Sequence, residues 1–373
     1  MNEDYKELDI FFQENAKRIG ARMQKLIASK KMGDMTELLT LAVEGGKKLR
    51  PGIAILVYRA LGGGFADEKD IIDIASIAEF LHSSSLIVDD MLDDDATRRG
   101  KPSPHEVFGH AASLVGAGAM MVLTFKIGID RSTSVAKEAA QMCVDLMNGN
   151  QMDVAGIGFD RQQYVTMISL KTASLFRGSC VLGAIMGGAI YSNRDALGEF
   201  GYNVGMAYQI YDDLCDVIET EKGIATGFLS ERKVSLPLIF LNDLMPGAPI
   251  LLKYRDNKQE FTEDDYKELM CLLKARSCIE MTLQEAVSYT EKAKECWSRS
   301  SLVSDKWAKL LHQIPEYTRD AIINETGMDY ETALKTYCVP KPETPDQSHL
   351  FLPMLITELQ KEGVIKPEEK KDG

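Results

Sequence analysis

The chain has 373 residues, 45% of them apolar and 27% charged, which is ample to bury a globular core and excludes a disordered chain or a disulfide-stapled miniprotein. Acidic residues (56) outnumber basic ones (43), for a formal charge of −13, so a general nucleic-acid binder with a basic footprint is excluded. Any anionic ligand must be held by local basic clusters or by metal ions.

The N-terminus carries no basic region followed by an apolar run, so no export signal is expected. The longest uncharged stretches, Ala111–Phe125 and Gly178–Asn193, fall short of the ~18 residues of a membrane span and read as tightly packed core helices. Seven cysteines, odd in number and without a CxxC pair, fit reduced thiols in a cytoplasmic protein.

In chain order, Leu8, Phe11, Phe12, Ile19, Met23 and Leu26 recur at helical spacing and predict a first amphipathic helix. Gly45-Gly46-Lys47-Lys48-Leu49-Arg50-Pro51 interrupts the pattern before an apolar helix from Gly52 to about Leu61. Ile71–Leu92 is a second strong helix, followed by a loop at Arg98-Arg99-Gly100-Lys101-Pro102. Further helices are expected at Ala111–Ile127, Ser134–Met147, Gln162–Tyr191 and Asp195–Glu219, then at Glu263–Ala275, Met281–Cys296 and Lys306–Ile314. No alternating strand pattern stands out. Val339–Pro345 holds three prolines in seven residues and reads as a linker. It divides an all-helical domain, residues 1–338, from an extension at 339–373 with a short amphipathic helix, Phe351–Gln360, and a charged tail.

Two acidic clusters stand out, Asp89-Asp90-Met91-Leu92-Asp93-Asp94-Asp95 and Asp212-Asp213-Leu214-Cys215-Asp216. Each contains DDxxD, which puts its outer carboxylates at i and i+4 on one helix face. Each follows an apolar run and is expected at a helix C-terminus, where the macrodipole disfavours every carboxylate by ~0.3–1 kcal/mol. A cation would offset that cost. Oxygen donors without nearby His or Cys point to Mg2+ rather than zinc. Because Mg2+ takes one or two carboxylates and fills its shell with water and phosphate oxygens, two clusters suggest a diphosphate held through several ions. One such cluster alone would read equally as a solvated helix end.

A diphosphate also needs protein cations. Lys47 and Arg50 flank a turn opened by Gly45-Gly46, which would present both together. Arg98 and Arg99 follow the first cluster, where plain neutralisation of Asp93–Asp95 is the competing role. Lys171-Thr172 opens a small-residue helical segment. His82 lies seven residues before Asp89 and so on nearly the same face, with a satisfied core histidine as the alternative.

GGKKLRP (45–51), EFLHSSSLIVDDMLDDDATRRGKPS (79–103), KTASLF (171–176), YQIYDDLCD (208–216) and KVSLPLI (233–239) together resemble the trans-isoprenyl diphosphate synthases, or polyprenyl synthetases, over roughly residues 40–240. The resemblance implies an all-α, isoprenoid-synthase-type helical bundle around a deep central cavity, as a homodimer. It also implies a prenyltransferase that condenses isopentenyl diphosphate with an allylic diphosphate. Asp89, Asp90, Asp93, Asp212 and Asp216 would bind three Mg2+ on the allylic diphosphate, which Arg98, Lys171 and Gln209 would contact. Lys47, Arg50, His82 and Arg99 would hold isopentenyl diphosphate. Lys171, Thr172 and Gln209 are the implied catalytic residues, Thr172 and Gln209 stabilising an allylic cation with oxygen dipoles.

The chain departs from the family pattern at Val88, where many members have His, at Ala117, for Asp, and at Asn150, for Gln. Gly227-Phe228 replace a usual Lys-Asp, removing a cation for which Lys222 or Arg232 would have to substitute. Ser85 and Ser84, four and five residues before Asp89, leave room below the first cluster and imply a product of at least twenty carbons. Leu81, Met120, Met121 and Phe125 are candidates for the floor. Two other readings stay open: a class I terpene cyclase on the same scaffold, which would not need the isopentenyl residues, and a non-catalytic subunit that retunes an active synthase.

Overall fold

The computed structural model describes residues 5–30, 32–63, 67–221, 232–256 and 259–337. Among them, regular structure is helical except for one hairpin, β1 (Thr97–Arg98) with β2 (Lys101–Pro102). Arg99 and Gly100 close that hairpin with φ of 54° and 73°, the left-handed pair that a two-residue turn requires. This is the all-α architecture expected from the sequence. The proposed linker and extension at 339–373, and Cys338, lie outside the described residues.

The chain forms two compact units. The larger holds the described residues up to 155, then 165–209 and 288–318; the smaller holds 156–164, 210–287 and the described residues from 319 onward. Helices α1 (Lys6–Ala28), α2 (Met35–Val43), α3 (Leu49–Ala60), α4 (Glu68–Leu92), α5 (Pro104–Phe108), α6 (His110–Arg131) and α7 (Thr133–Ala155) follow one another through the larger unit. After α8 (Arg161–Ile168), a π-helical turn, Ser169–Ala173, leads into α9 (Ser174–Met186). The long α10 (Tyr191–Glu221) gives its residues through Gln209 to the larger unit and the rest to the smaller.

The larger unit is built around α4, which packs against α1, α3, α6, α7 and α9. Ile71, Ile74, Ile77, Phe80, Leu81 and Ile87 are all buried, as a helix apolar on nearly every face must be. Each such side chain contributes about 1.5–3 kcal/mol of transfer free energy. On α1, the predicted stripe Leu8, Phe11, Phe12, Ile19 and Met23 is buried, and Arg22 ties the helix to Asp73 of α4.

The smaller unit contains α11 (Leu236–Leu244), α12 (Pro249–Arg255), α13 (Glu263–Ala275) and α17 (Tyr330–Tyr337), while α14 (Cys278–Ser298) and α16 (Ile314–Ile323) contribute to both units. α15 (Asp305–His312) belongs to the larger. Thr262 and Asp265 form a capping box that starts α13, and Lys253 binds the same carboxylate, holding Asp265 down at about 2.

Several expectations need correction. The single helix predicted at Gln162–Tyr191 is broken by the π turn and by a turn at Gly187-Gly188. α3 begins at Leu49, earlier than expected, because Lys48 takes a left-handed conformation (φ 51°) and Pro51 is accommodated in the first helical turn. α7 continues to Ala155, well past Met147. α6 is not wholly buried: Leu114, Val115, Val122 and Ile129 are exposed along one face. Counted with their flanking charges, α4 and α6 are both long and apolar enough to cross a membrane, although α4 is mostly buried as the core helix. Among the described residues the cysteines are all buried and none forms a disulfide.

Candidate active site

The first acidic cluster occupies the last turn of α4, which Asp93 caps. Lys171 Nζ lies 3.2 Å from Asp89 Oδ1 and 2.6 Å from Asp153 Oδ2. Burial opposes the charge on Lys171, but the two carboxylates outweigh it and raise its proton affinity above the usual lysine value. The π turn that carries Lys171 packs directly on α7, where a Cβ on Gly149 would stand 2.4 Å from the Lys171 nitrogen. Only glycine admits that approach. Asp153 lies beyond Met147, where the apolar pattern ends the predicted helix, so the sequence alone does not single it out.

The three aspartates of the first DDxxD are not equivalent. A step of one residue rotates a side chain about 100° around the helix. Asp89 and Asp93 are part-exposed, whereas Asp90 is 1% exposed and faces inward. Burial raises the proton affinity of Asp90, and Arg98 opposes that shift by donating from Nε at 2.7 Å. Arg98 also binds Asp95 at 2.8 Å. The neutralising role weighed for Arg98 is therefore occupied, though by Asp90 and Asp95.

The glycine-opened turn separates its cations rather than presenting them alike. Gly45 and Gly46 have φ of 73° and 76°; Lys47 is exposed, while Lys48 and Arg50 are buried. The Arg50 guanidinium lies 4.7 Å from the centre of the Phe176 ring and 5.7 Å from that of Tyr208. Such stacking contributes about 0.5–2 kcal/mol and orients the cation. Arg99 NH1 donates to the Glu44 carbonyl at 3.3 Å. Burial pushes the His82 imidazole well below its ordinary range, and Arg50, Arg99, Lys48 and Arg98 add to the shift. The structure thus places His82 within electrostatic reach of Arg50 and Arg99.

Thr172 Oγ1 donates to Gln209 Oε1 at 2.6 Å, joining two of the predicted catalytic residues across α10 and the π turn. Below the first cluster, Leu81, Ser84, Ser85 and Met120 are buried, with Met121 and Phe125 packed against the core. The Ser84 hydroxyl donates to the Ala117 carbonyl of α6 at 3.0 Å.

In the smaller unit, Asp212 is exposed, Asp216 is half-buried, and Asp213 accepts a 2.6 Å hydrogen bond from the buried Tyr164. Since α10 runs on to Glu221, this cluster sits inside the helix and not at its end, so the expected dipole penalty is weaker there. Arg232 does not replace the missing lysine: its guanidinium donates to the carbonyls of Asp256 (2.7 Å) and Gln259 (2.5 Å). Lys222, Gly227 and Phe228 lie outside the described residues. Among the described residues no three acidic, His or Cys side chains form a ready-made metal cage. The part-exposed carboxylates of Asp89 and Asp93 are oxygen donors of the kind a hard divalent cation takes alongside water and phosphate oxygens.

A family model described as polyprenyl synthetase matches residues 34–273. The chain is 33% identical over 213 residues to a short chain isoprenyl diphosphate synthase of Methanothermobacter thermautotrophicus, a match covering 53% of this chain and 64% of that relative, less than two thirds of its length. It is 30% identical over 306 residues to a geranylfarnesyl diphosphate synthase of Aeropyrum pernix, covering 75% of this chain and 91% of the relative. A crystal structure of a polyprenyl synthase from Caulobacter crescentus, complexed with calcium and isoprenyl diphosphate, superposes with a TM-score of 0.70 at 24% identity, over 83% of this chain and 96% of that one.

Proposed function

Because the chain belongs to the polyprenyl synthetase family, we propose that it condenses isopentenyl diphosphate head to tail with an allylic prenyl diphosphate, giving an all-trans product of at least twenty carbons. What supports this reading is that one compact unit carries two unlike groups of side chains suited to anions. One offers the part-exposed carboxylates of Asp89 and Asp93, suited to metal; the other gathers Arg50 and Arg99 about the neutral His82. An enzyme that only ionised one diphosphate would have no use for the second.

In this reading Asp89, Asp93, Asp212 and Asp216 hold Mg2+, three ions in all, while Asp90 serves by orienting Arg98. When bound, the metal supplies Lewis acidity to the departing pyrophosphate. Lys171 and Arg98 add fixed positive charge where negative charge develops as the allylic C–O bond breaks. Thr172 spends its hydroxyl proton on Gln209, which keeps the lone pairs of its oxygen for the positive carbon left behind. Lys47, Arg50, His82 and Arg99 hold isopentenyl diphosphate so that its double bond attacks that carbon. The condensed cation then gives up a proton to the released pyrophosphate, which forms the new double bond and leaves the chain five carbons longer. Ser84 and Ser85 are small side chains on the turn of α4 before Asp89, with no aromatic ring to stop a growing chain, which supports the product size. The exposed apolar face of α6, with Val144, Met147 and Val154 of α7, supports a homodimer. That the described cysteines form no disulfide suits a reducing, cytoplasmic compartment.

The test is incubation of the purified protein with labelled isopentenyl diphosphate, farnesyl diphosphate and Mg2+, followed by analysis of product length. Elongation to twenty carbons or more, abolished in Asp89→Ala, is expected. Recovery of unextended starter would transfer the reading to a non-catalytic subunit, and conversion of the starter to hydrocarbon to a cyclase.

A further inference from the structure

We infer that Glu79, through a buried ion pair with Lys48, is the positioning residue of the basic anion site, fixing the 44–50 turn and Arg99 against α4 so that Arg50, Arg99 and His82 converge on one diphosphate. The inference rests on the isopentenyl diphosphate assignment above.

Of the cations in the Lys47-Lys48-Leu49-Arg50 run, Lys48 is the one that cannot reach a ligand. Its side chain is 3% exposed, and that of Glu79 is 2% exposed. Lys48 Nζ donates to Glu79 Oε1 and to the Val43 carbonyl, each at 2.8 Å. One ammonium therefore ties the end of α2, the start of α3 and the middle of α4 at a single point. Lys48 does this from a left-handed backbone conformation (φ 51°), which a non-glycine residue keeps only where its surroundings enforce it.

The same carboxylate oxygen of Glu79 lies 3.8 Å from Arg99 NH2. Arg99 in turn lies against Gly46 so closely that a Cβ there would stand 2.6 Å from its Cζ. His82 follows Glu79 by three residues and so shares its face of α4. Lys48, Arg50, Arg98 and Arg99 all bear on His82, and cations so gathered repel one another until an anion arrives. Glu79 is a built-in counter-charge that keeps them assembled beforehand, so binding a diphosphate demands little rearrangement. Being sealed from solvent, it acts only through Lys48 and Arg99.

The experiment uses the full chain and four variants: Glu79→Gln, Lys48→Met, Lys48→Arg and Arg50→Met. Each is titrated with isopentenyl diphosphate without metal, and each is assayed for KM towards isopentenyl and farnesyl diphosphates. Glu79→Gln and Lys48→Met are expected to weaken isopentenyl diphosphate binding on the order of tenfold or more, as misplaced positioning groups do. The KM for farnesyl diphosphate should stay within about twofold, and Lys48→Arg should restore most of the lost affinity. A general loss of fold would lower the active fraction for both substrates together. Equal changes in both KM values, or unchanged binding in Glu79→Gln and Lys48→Met, would overturn the role of Glu79. Should Glu79→Gln not fold, the contrast between Lys48→Met and Lys48→Arg decides on the same terms. Arg50→Met separates the two levels: if it leaves isopentenyl diphosphate binding intact, the site assignment itself falls, and this inference with it. If Arg50→Met weakens binding while Glu79→Gln and Lys48→Met do not, only the positioning role falls.

Discussion

His82 shows how neighbours set the chemistry of one side chain. Burial, then the surrounding arginines and Lys48, hold its imidazole neutral well below the usual range. In the unfolded chain it takes a proton near pH 6.5, which the folded chain refuses. The unfolded state then binds more protons, so stability is present above about pH 6.5 and is lost as pH falls below it. His82→Gln should remove that component: the loss of stability between pH 7 and pH 5.5 should shrink by about 1 kcal/mol in denaturant titrations. An unchanged pH slope would show that the cations do not act on His82 as described. Asp90 makes the same point in reverse. Its place in DDxxD suggests a ligand, yet helix rotation turns it inward to Arg98, leaving Asp89 and Asp93 at the surface.

At the scale of elements, the π turn at Ser169–Ala173 decides where Lys171 and Thr172 stand. A continuous α-helix over 162–191, which the apolar pattern alone suggests, would carry these two side chains in a different register. π turns of this kind recur at functional sites because they re-aim side chains at a local energetic cost. Gly149 lets α7 support the turn at backbone contact, so Gly149→Ala must push the Lys171 main chain away. We expect kcat to fall on the order of a hundredfold in Gly149→Ala while the protein remains folded by circular dichroism. Wild-type turnover in the folded variant would mean that the placement of the turn is not needed for chemistry.

For the whole molecule, the deciding feature is the apolar face left on the larger unit. Leu114, Val115, Val122 and Ile129 of α6 are exposed, as are Val144, Met147 and Val154 of α7, and Val122 is 64% exposed. A patch of this kind in a folded chain marks a partner surface. Placing a charge in it should cost little in a monomer and much in a dimer. On the proposed homodimer, Val122→Glu is expected to shift the sedimentation coefficient from dimer to monomer at micromolar concentration, with helical content unchanged. A variant that still sediments as a dimer would move the interface elsewhere.

The helical class, the α1 and α4 stripes, both acidic clusters and the basic run before α3 are all legible in the chain. Each of these is a local pattern: apolar spacing, charge density and glycine placement are written within a few turns of chain. The sequence alone does not tell Asp89 from Asp90, Lys47 from Lys48, or a free Arg232 from one already bound to carbonyls. Those distinctions depend on what lies across the contact, and residues such as Asp153, Glu79, Phe176 and Tyr208 come from helices far apart in sequence. Composition marked α6 as core, yet tertiary packing left half of it uncovered, because a helix can bury only as many faces as it has neighbours.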